Sequence, residues 1–101
     1  MMKTTVLYHH PKDMEAFEQY YAGTHLPLSA TMVGVDRLEL TLFVPGPDGS
    51  RPAFHRMAEL YFSDAAQMQA TFGSPVGKAV VGDLQNFASG GVTVLIGAVE
   101  R

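Results

Sequence analysis

The chain contains no cysteine. That removes a disulfide framework and thiolate chemistry, and with them thiolate-ligated zinc and iron–sulfur clusters. Nor is there a surplus of positive charge. Seven Lys and Arg against ten Asp and Glu leave a formal net charge of −3, and no basic stripe tracks along any segment, which argues against nucleic acid as a partner. No apolar run approaches the roughly 20 residues that span a bilayer. The start, Met1-Met2-Lys3-Thr4-Thr5-Val6, alternates like a strand and lacks the apolar stretch and cleavage site of a signal peptide. The expectation is a cytoplasmic protein without a membrane partner. Metal-binding spacing is also missing. His9 and His10 are neighbours on a strand and point to opposite faces, and no His-x-x-x-His pair occurs. Neither a metal (haem included) nor an organic cofactor is expected.

What the chain does have is enough apolar material, 47% of its 101 residues, to fold around one core. One domain spanning residues 1–101 follows, without repeats or linkers. Residues 3 to 10 read as a strand. His10-Pro11-Lys12-Asp13 is a turn, with Asp13 as N-cap. Met14, Phe17, Tyr21, Thr24 and Leu28 recur at helical spacing, and the helix should end or kink at Pro27. Val35 to Val44 alternates as a strand. Leu38, Leu40 and Leu42 fall on one side, with Arg37, Glu39, Thr41 and Phe43 on the other. Pro45 to Ser50 is a turn cluster, and Ala53 to Phe62 returns as a strand with His55, Met57, Glu59 and Tyr61 on one face. Ser63 caps a helix that Gly73 ends, Ser74 and Pro75 open another, and Val92 to Val99 is the last strand.

The order β-α-β-β-α-β is the ferredoxin-like, α+β arrangement: a four-stranded antiparallel sheet with both helices on one face. The strands are apolar on both sides, yet the chain supplies cover for one. A second copy packed sheet to sheet is the economical cover, so a homodimer is expected.

Chemistry is most plausible in Tyr20-Tyr21-Ala22-Gly23-Thr24-His25-Leu26-Pro27-Leu28. A helix ending at Pro27 leaves His25 close to solvent, either as a general acid or base or as a cation favoured by the helix C-terminus. An orienting carboxylate would have to be Glu39 or Glu59, and only if their sheet face lines a cleft. Tyr20 is placed to present its phenol to a ligand, whereas Tyr21 follows the apolar face. Ser29, four residues after His25, lacks a nucleophile-elbow context.

The Tyr20-Tyr21-x-x-Thr24-His25-x-Pro27-Leu28 segment, the Arg37-Leu38-Glu39 strand, the Ser74-Pro75 helix start and the Asn86-Phe87-x-x-Gly90-Gly91 approach to the last strand together resemble the EthD family, named for ethyl tert-butyl ether degradation. The resemblance runs over nearly the whole chain. It implies a dimeric α/β barrel, with a cleft in each protomer between helices and sheet and with Asn86 and Phe87 in a cleft wall. It does not imply one reaction: wider relatives include cofactor-free monooxygenases, lactone isomerases and polyketide cyclases. Two functions follow as expectations. One is a cofactor-independent enzyme acting on a small apolar oxygenated molecule, with His25 as acid/base and Tyr20, Tyr21, Asn86 and Phe87 around the substrate. The other is a carrier that binds such a metabolite without chemistry.

Overall fold

The computed structural model describes residues 1–100. The elements are β1 (Met2–Tyr8), α1 (Met14–Tyr20), a π-helical turn (Tyr21–His25), α2 (Leu26–Ser29), β2 (Arg37–Leu42), β3 (Arg56–Phe62), α3 (Ala65–Gly73), α4 (Pro75–Phe87) and β4 (Val92–Ala98). The sheet order is β2-β3-β1-β4, antiparallel throughout. This is the expected ferredoxin-like α+β fold. Its caps follow from sequence: Asp13 accepts from Ala16 N–H at 3.1 Å, and Ser74 accepts from Gly77 N–H at 3.0 Å, with Pro75 in the first helical position. The cap of α3 is Asp64 rather than the expected Ser63. Its carboxylate accepts from Gln67 N–H at 2.8 Å, three residues on, the spacing an N-cap needs.

Register sorts the two sheet faces. Val6 lies opposite Ala58 and Val94, and Leu40 opposite Ala58, so Thr4, Val6, Tyr8, Leu38, Leu40, Ala58, Leu60, Val94 and Ile96 share the helix side. The core gathers there around Tyr8, Phe17, Tyr21, Leu60, Phe62, Met68 and Phe87. The open face carries Met57, Tyr61 and Leu95 among the ion pairs Lys3–Glu59 (2.9 Å) and Arg37–Glu39 (2.6 Å). The Arg37 guanidinium lies 4.3 Å from the Tyr61 ring centroid. His55, expected on this open face, is instead buried at 4% exposure against Phe17 of α1, with ring centroids 5.0 Å apart. Regular pairing of β3 begins only at Arg56, so alternation does not govern the residue before it.

The largest departure is at Pro27. Proline has no N–H to give the carbonyl four residues back, and its ring crowds that carbonyl. The chain does not stop there. It widens by one turn, so that Leu26 N–H reaches Tyr21 O, five residues back, and helix resumes over Leu26–Ser29. This wide turn changes which residue faces inward. Phe17, Tyr21 and His25 are buried, while Thr24, expected on the inner face, is exposed.

Candidate functional site

Where the helices stand off the sheet they leave a cavity of about 320 Å³, at the small end of ligand-binding pockets. The sheet side contributes Thr4, Val6, Tyr8, Ala58 and Leu60; the helix side contributes Tyr21, His25, Ser29, Val80 and Leu84. Among the described residues, no Asp, Glu, Lys or Arg lines it. Leu38, Leu40, Val94 and Ile96, all exposed, lie on its rim along the two edge strands.

Among the described residues, His25 is the one imidazole in this wall. It is 4% exposed, which overturns the expectation of a solvent-near residue at a helix end: the π-helical turn rolls it inward. Its ring is stacked on Tyr21 (6.0 Å between centroids, 16° between planes) and tilted over Phe87 at 4.6 Å. Its backbone carbonyl accepts from the Ser29 hydroxyl at 3.0 Å, which accounts for the four-residue spacing of these two residues without a nucleophile.

The carboxylate partner of His25 is Asp83 of α4, not Glu39 or Glu59, which are tied to Arg37 and Lys3 on the opposite sheet face. Asp83 Oδ2 lies 2.9 Å from His25 Nδ1. Asp83 Oδ1 accepts from the Tyr20 hydroxyl at 2.6 Å and from Asn86 Nδ2 at 3.0 Å. Burial pushes the Asp83 carboxyl up, but the hydrogen bonds from Tyr20, Asn86 and His25 outweigh it and hold the group below the usual aspartate value. At neutral pH Asp83 is therefore ionised and can only accept. The proton of a neutral His25 must then sit on Nδ1, which leaves the Nε2 lone pair free. Among the described residues nothing bonds to Nε2.

The structure thus brings Tyr20, His25 and Asn86 together, through Asp83. Tyr20 and Asn86 do not line the cavity. With Phe87 they face a separate groove between α1 and α4, on the other side of Asp83. Phe87 is buried beneath it, with Tyr20 stacked on its ring at 5.3 Å. Tyr21 lies in the cavity wall and its ring stays in the core. Its phenol is buried without a hydrogen-bond partner, and burial raises its pKa to about 12.

Sequence reasoning missed Asp83 and Tyr8. The signal for Asp83 was its place three residues after Val80 and four before Phe87, on the apolar face of α4. A carboxylate there needs partners. Tyr8 ends β1 on the same face as Thr4 and Val6 and lines the cavity at 2% exposure.

A second polar cluster lies apart from the cavity polar groups. Arg56 makes a two-pronged contact with Glu18 (2.8 and 2.6 Å), and His55 Nε2 lies 3.2 Å from the same carboxylate. Arg56 holds the Glu18 carboxyl below its usual range. Among the described residues no three His, Asp or Glu side chains converge as metal ligands, and no helix is long and apolar enough to cross a membrane.

Comparison with known proteins agrees with this architecture. The EthD domain matches residues 9–91. An uncharacterised 11.0 kDa protein encoded between thcB and thcC in Rhodococcus erythropolis is 38% identical over 99 residues, covering 94% of this chain and 91% of that one. The crystal structure of an EthD family protein from Bacillus halodurans superposes with a TM-score of 0.92 at 33% identity, over 99% of both chains. A hydroxynitrile lyase from Passiflora edulis shares the fold alone, with a TM-score of 0.78 at 14% identity over 99% of this chain and 94% of that one. With a matching domain over most of its length and relatives above 30% identity across nearly all of it, this chain belongs to the EthD family.

Proposed function

We propose that the cavity binds a small, neutral, largely apolar oxygenated molecule and that His25 acts on it as general acid/base, with no metal or organic cofactor in the reaction. The observation that carries this reading is the His25–Asp83 pair: Nδ1 is held by a buried carboxylate while Nε2, in the wall of an apolar cavity, has no partner among the described residues. A carboxylate that fixes the tautomer and steadies the imidazolium is what proton transfer from a substrate hydroxyl or an activated C–H requires. Tyr20 and Asn86 serve this site as positioning residues, through Asp83, rather than as substrate contacts. A fold neighbour named as a hydroxynitrile lyase supports small-molecule chemistry on this scaffold. The uncharged lining also favours a second reading, a carrier of a hydrophobic metabolite.

The two readings separate experimentally. A screen of small ketones, lactones, quinols and tertiary alcohols for thermal stabilisation identifies ligands, which are then followed for conversion. His25→Gln should lower turnover at least tenfold, with the ligand still bound. A ligand that binds wild type and is never converted supports the carrier; conversion at an unchanged rate by His25→Gln rejects the acid/base role.

We further infer a homodimer through the open sheet face. Leu95 is exposed there and Met57 half-buried beside Tyr61, which lies beneath Arg37, and two solved proteins of this fold are described as dimeric.

A further inference from the structure

One polar side chain in the cavity wall has no part in the His25 pair. Tyr8 projects from the end of β1 into the helix side of the sheet. Its ring is packed edge-on against Phe17 and Tyr21 (5.4 and 5.5 Å) and tilted against Phe87 at 5.8 Å. Phe87 is also the ring over which His25 lies. Tyr8 and His25 therefore border the same stretch of wall. Tyr8 is 2% exposed and lines the cavity, yet among the described residues its hydroxyl has no hydrogen-bond partner. Buried hydroxyls are rarely left so, because an unmet donor in an apolar setting is costly. Tyr21 is a useful contrast. Its hydroxyl is also unpaired but is sealed in, and the Arg56 guanidinium lies 5.1 Å from its ring. Burial, with Tyr21 and Asp83 nearby, raises the Tyr8 pKa well above the usual phenol value, so Tyr8 stays a donor across the physiological range.

We propose that Tyr8 and His25 form a donor–acceptor pair for the ligand: the Tyr8 hydroxyl donates to a ligand oxygen while His25 Nε2 accepts from a ligand hydroxyl. This rests on the cavity and His25 reading given above and narrows it to a ligand class. The preferred molecule is uncharged and apolar at one end; at the other it carries a hydroxyl beside a carbonyl or similar acceptor. Charged ligands are disfavoured because, among the described residues, no opposite charge in the lining repays their desolvation.

Three probes of similar size separate the contributions: 2-hydroxyacetophenone offers donor and acceptor, acetophenone an acceptor only, and ethylbenzene neither. Their affinities for wild type and Tyr8→Phe are measured by NMR titration at neutral pH, with the infrared carbonyl stretch of bound acetophenone as a second readout. Tyr8→Phe should weaken acetophenone about threefold to tenfold, as loss of one neutral hydrogen bond does, and leave ethylbenzene unchanged. The carbonyl stretch should lie at lower frequency in wild type than in apolar solvent and return towards the solvent value in Tyr8→Phe. Equal acetophenone affinity and an equal carbonyl stretch in both proteins would overturn the Tyr8 role while leaving the cavity and His25 reading intact. If none of the three probes binds wild type, the cavity reading fails and this inference with it. Should Tyr8→Phe not fold, the wild-type spectrum decides, and an unshifted carbonyl stretch rejects the proposal.

Discussion

Asp83→Asn tests the His25 arrangement most sharply, because it preserves shape and removes one charge. Two donors, Tyr20 and Asn86, converge on Oδ1, and His25 Nδ1 meets Oδ2. An asparagine can keep its oxygen towards Tyr20 and Asn86. Its NH₂ then points at His25 Nδ1, and two N–H groups cannot face each other. His25 must therefore give up the Nδ1 proton and carry it on Nε2, which replaces the free lone pair at the cavity by a donor. Three hydrogen bonds also lose their charge assistance at a site where Asp83 is 8% and His25 4% exposed. Charge-assisted bonds stabilise by about 1.5–3 kcal/mol and neutral ones by about 0.5–1.5 kcal/mol. Three such losses come to about 3–4.5 kcal/mol, but the neutral side chain also escapes the cost of burying an ionised carboxylate, which offsets more than half of it, so the net loss should be about 1–2 kcal/mol. For a domain of this length that is a fall in Tm of about 5–15 °C. Calorimetry reads the stability and ¹⁵N chemical shifts of the His25 ring read the tautomer. A folded Asp83→Asn protein in which Nδ1 keeps its proton would refute the reasoning, as would a Tm unchanged within a degree.

The remaining expectations concern acid and association. Both Asp83 and Glu18 are held below their ordinary values. The stability they add is therefore complete above the unfolded-state pKa values and is lost as pH falls through the folded ones, so urea midpoints should drop from about pH 4.5 downward. Asp83→Asn and Glu18→Gln should each flatten that drop; profiles parallel to wild type would mean that neither carboxylate contributes to it. On the open sheet face, light scattering at micromolar concentration should give twice the 10.9 kDa chain mass, and Leu95→Glu, at a residue 54% exposed in the single chain, should return it to one. A monomeric wild type would reject the sheet-to-sheet dimer.

The order of elements and the starts of α1 and α4 were legible because they depend on local chemistry. Alternation in Leu38-Glu39-Leu40, an Asp or Ser three residues before a free N–H, and a proline in the first helical position each act within one turn of chain. The failures share a different cause. Tyr21, Thr24 and Leu28 fit a regular helix, so the periodic reading put Thr24 inside and His25 at an exposed end. A missing N–H at Pro27 is compatible with two outcomes, a stop or a widened turn, and the choice lies in what each buries. The widened turn keeps Phe17 and Tyr21 in the core and brings His25 to a carboxylate 58 residues away in sequence. No spacing rule reaches that far. Half of the clue was nevertheless present in α4, where Asp83 sits among Val80 and Phe87 on the buried face. A charge at such a position demands donors from elsewhere, and in a chain of this composition the donors of variable charge are four histidines. His9 and His10 follow β1 and His55 precedes β3, so the histidine able to face α4 from the first helical segment was His25. Read in that direction, from the buried acid to its missing base rather than from the histidine to its missing acid, the pair follows from the β-α-β-β-α-β order, because that order stacks both helical segments on one side of the sheet.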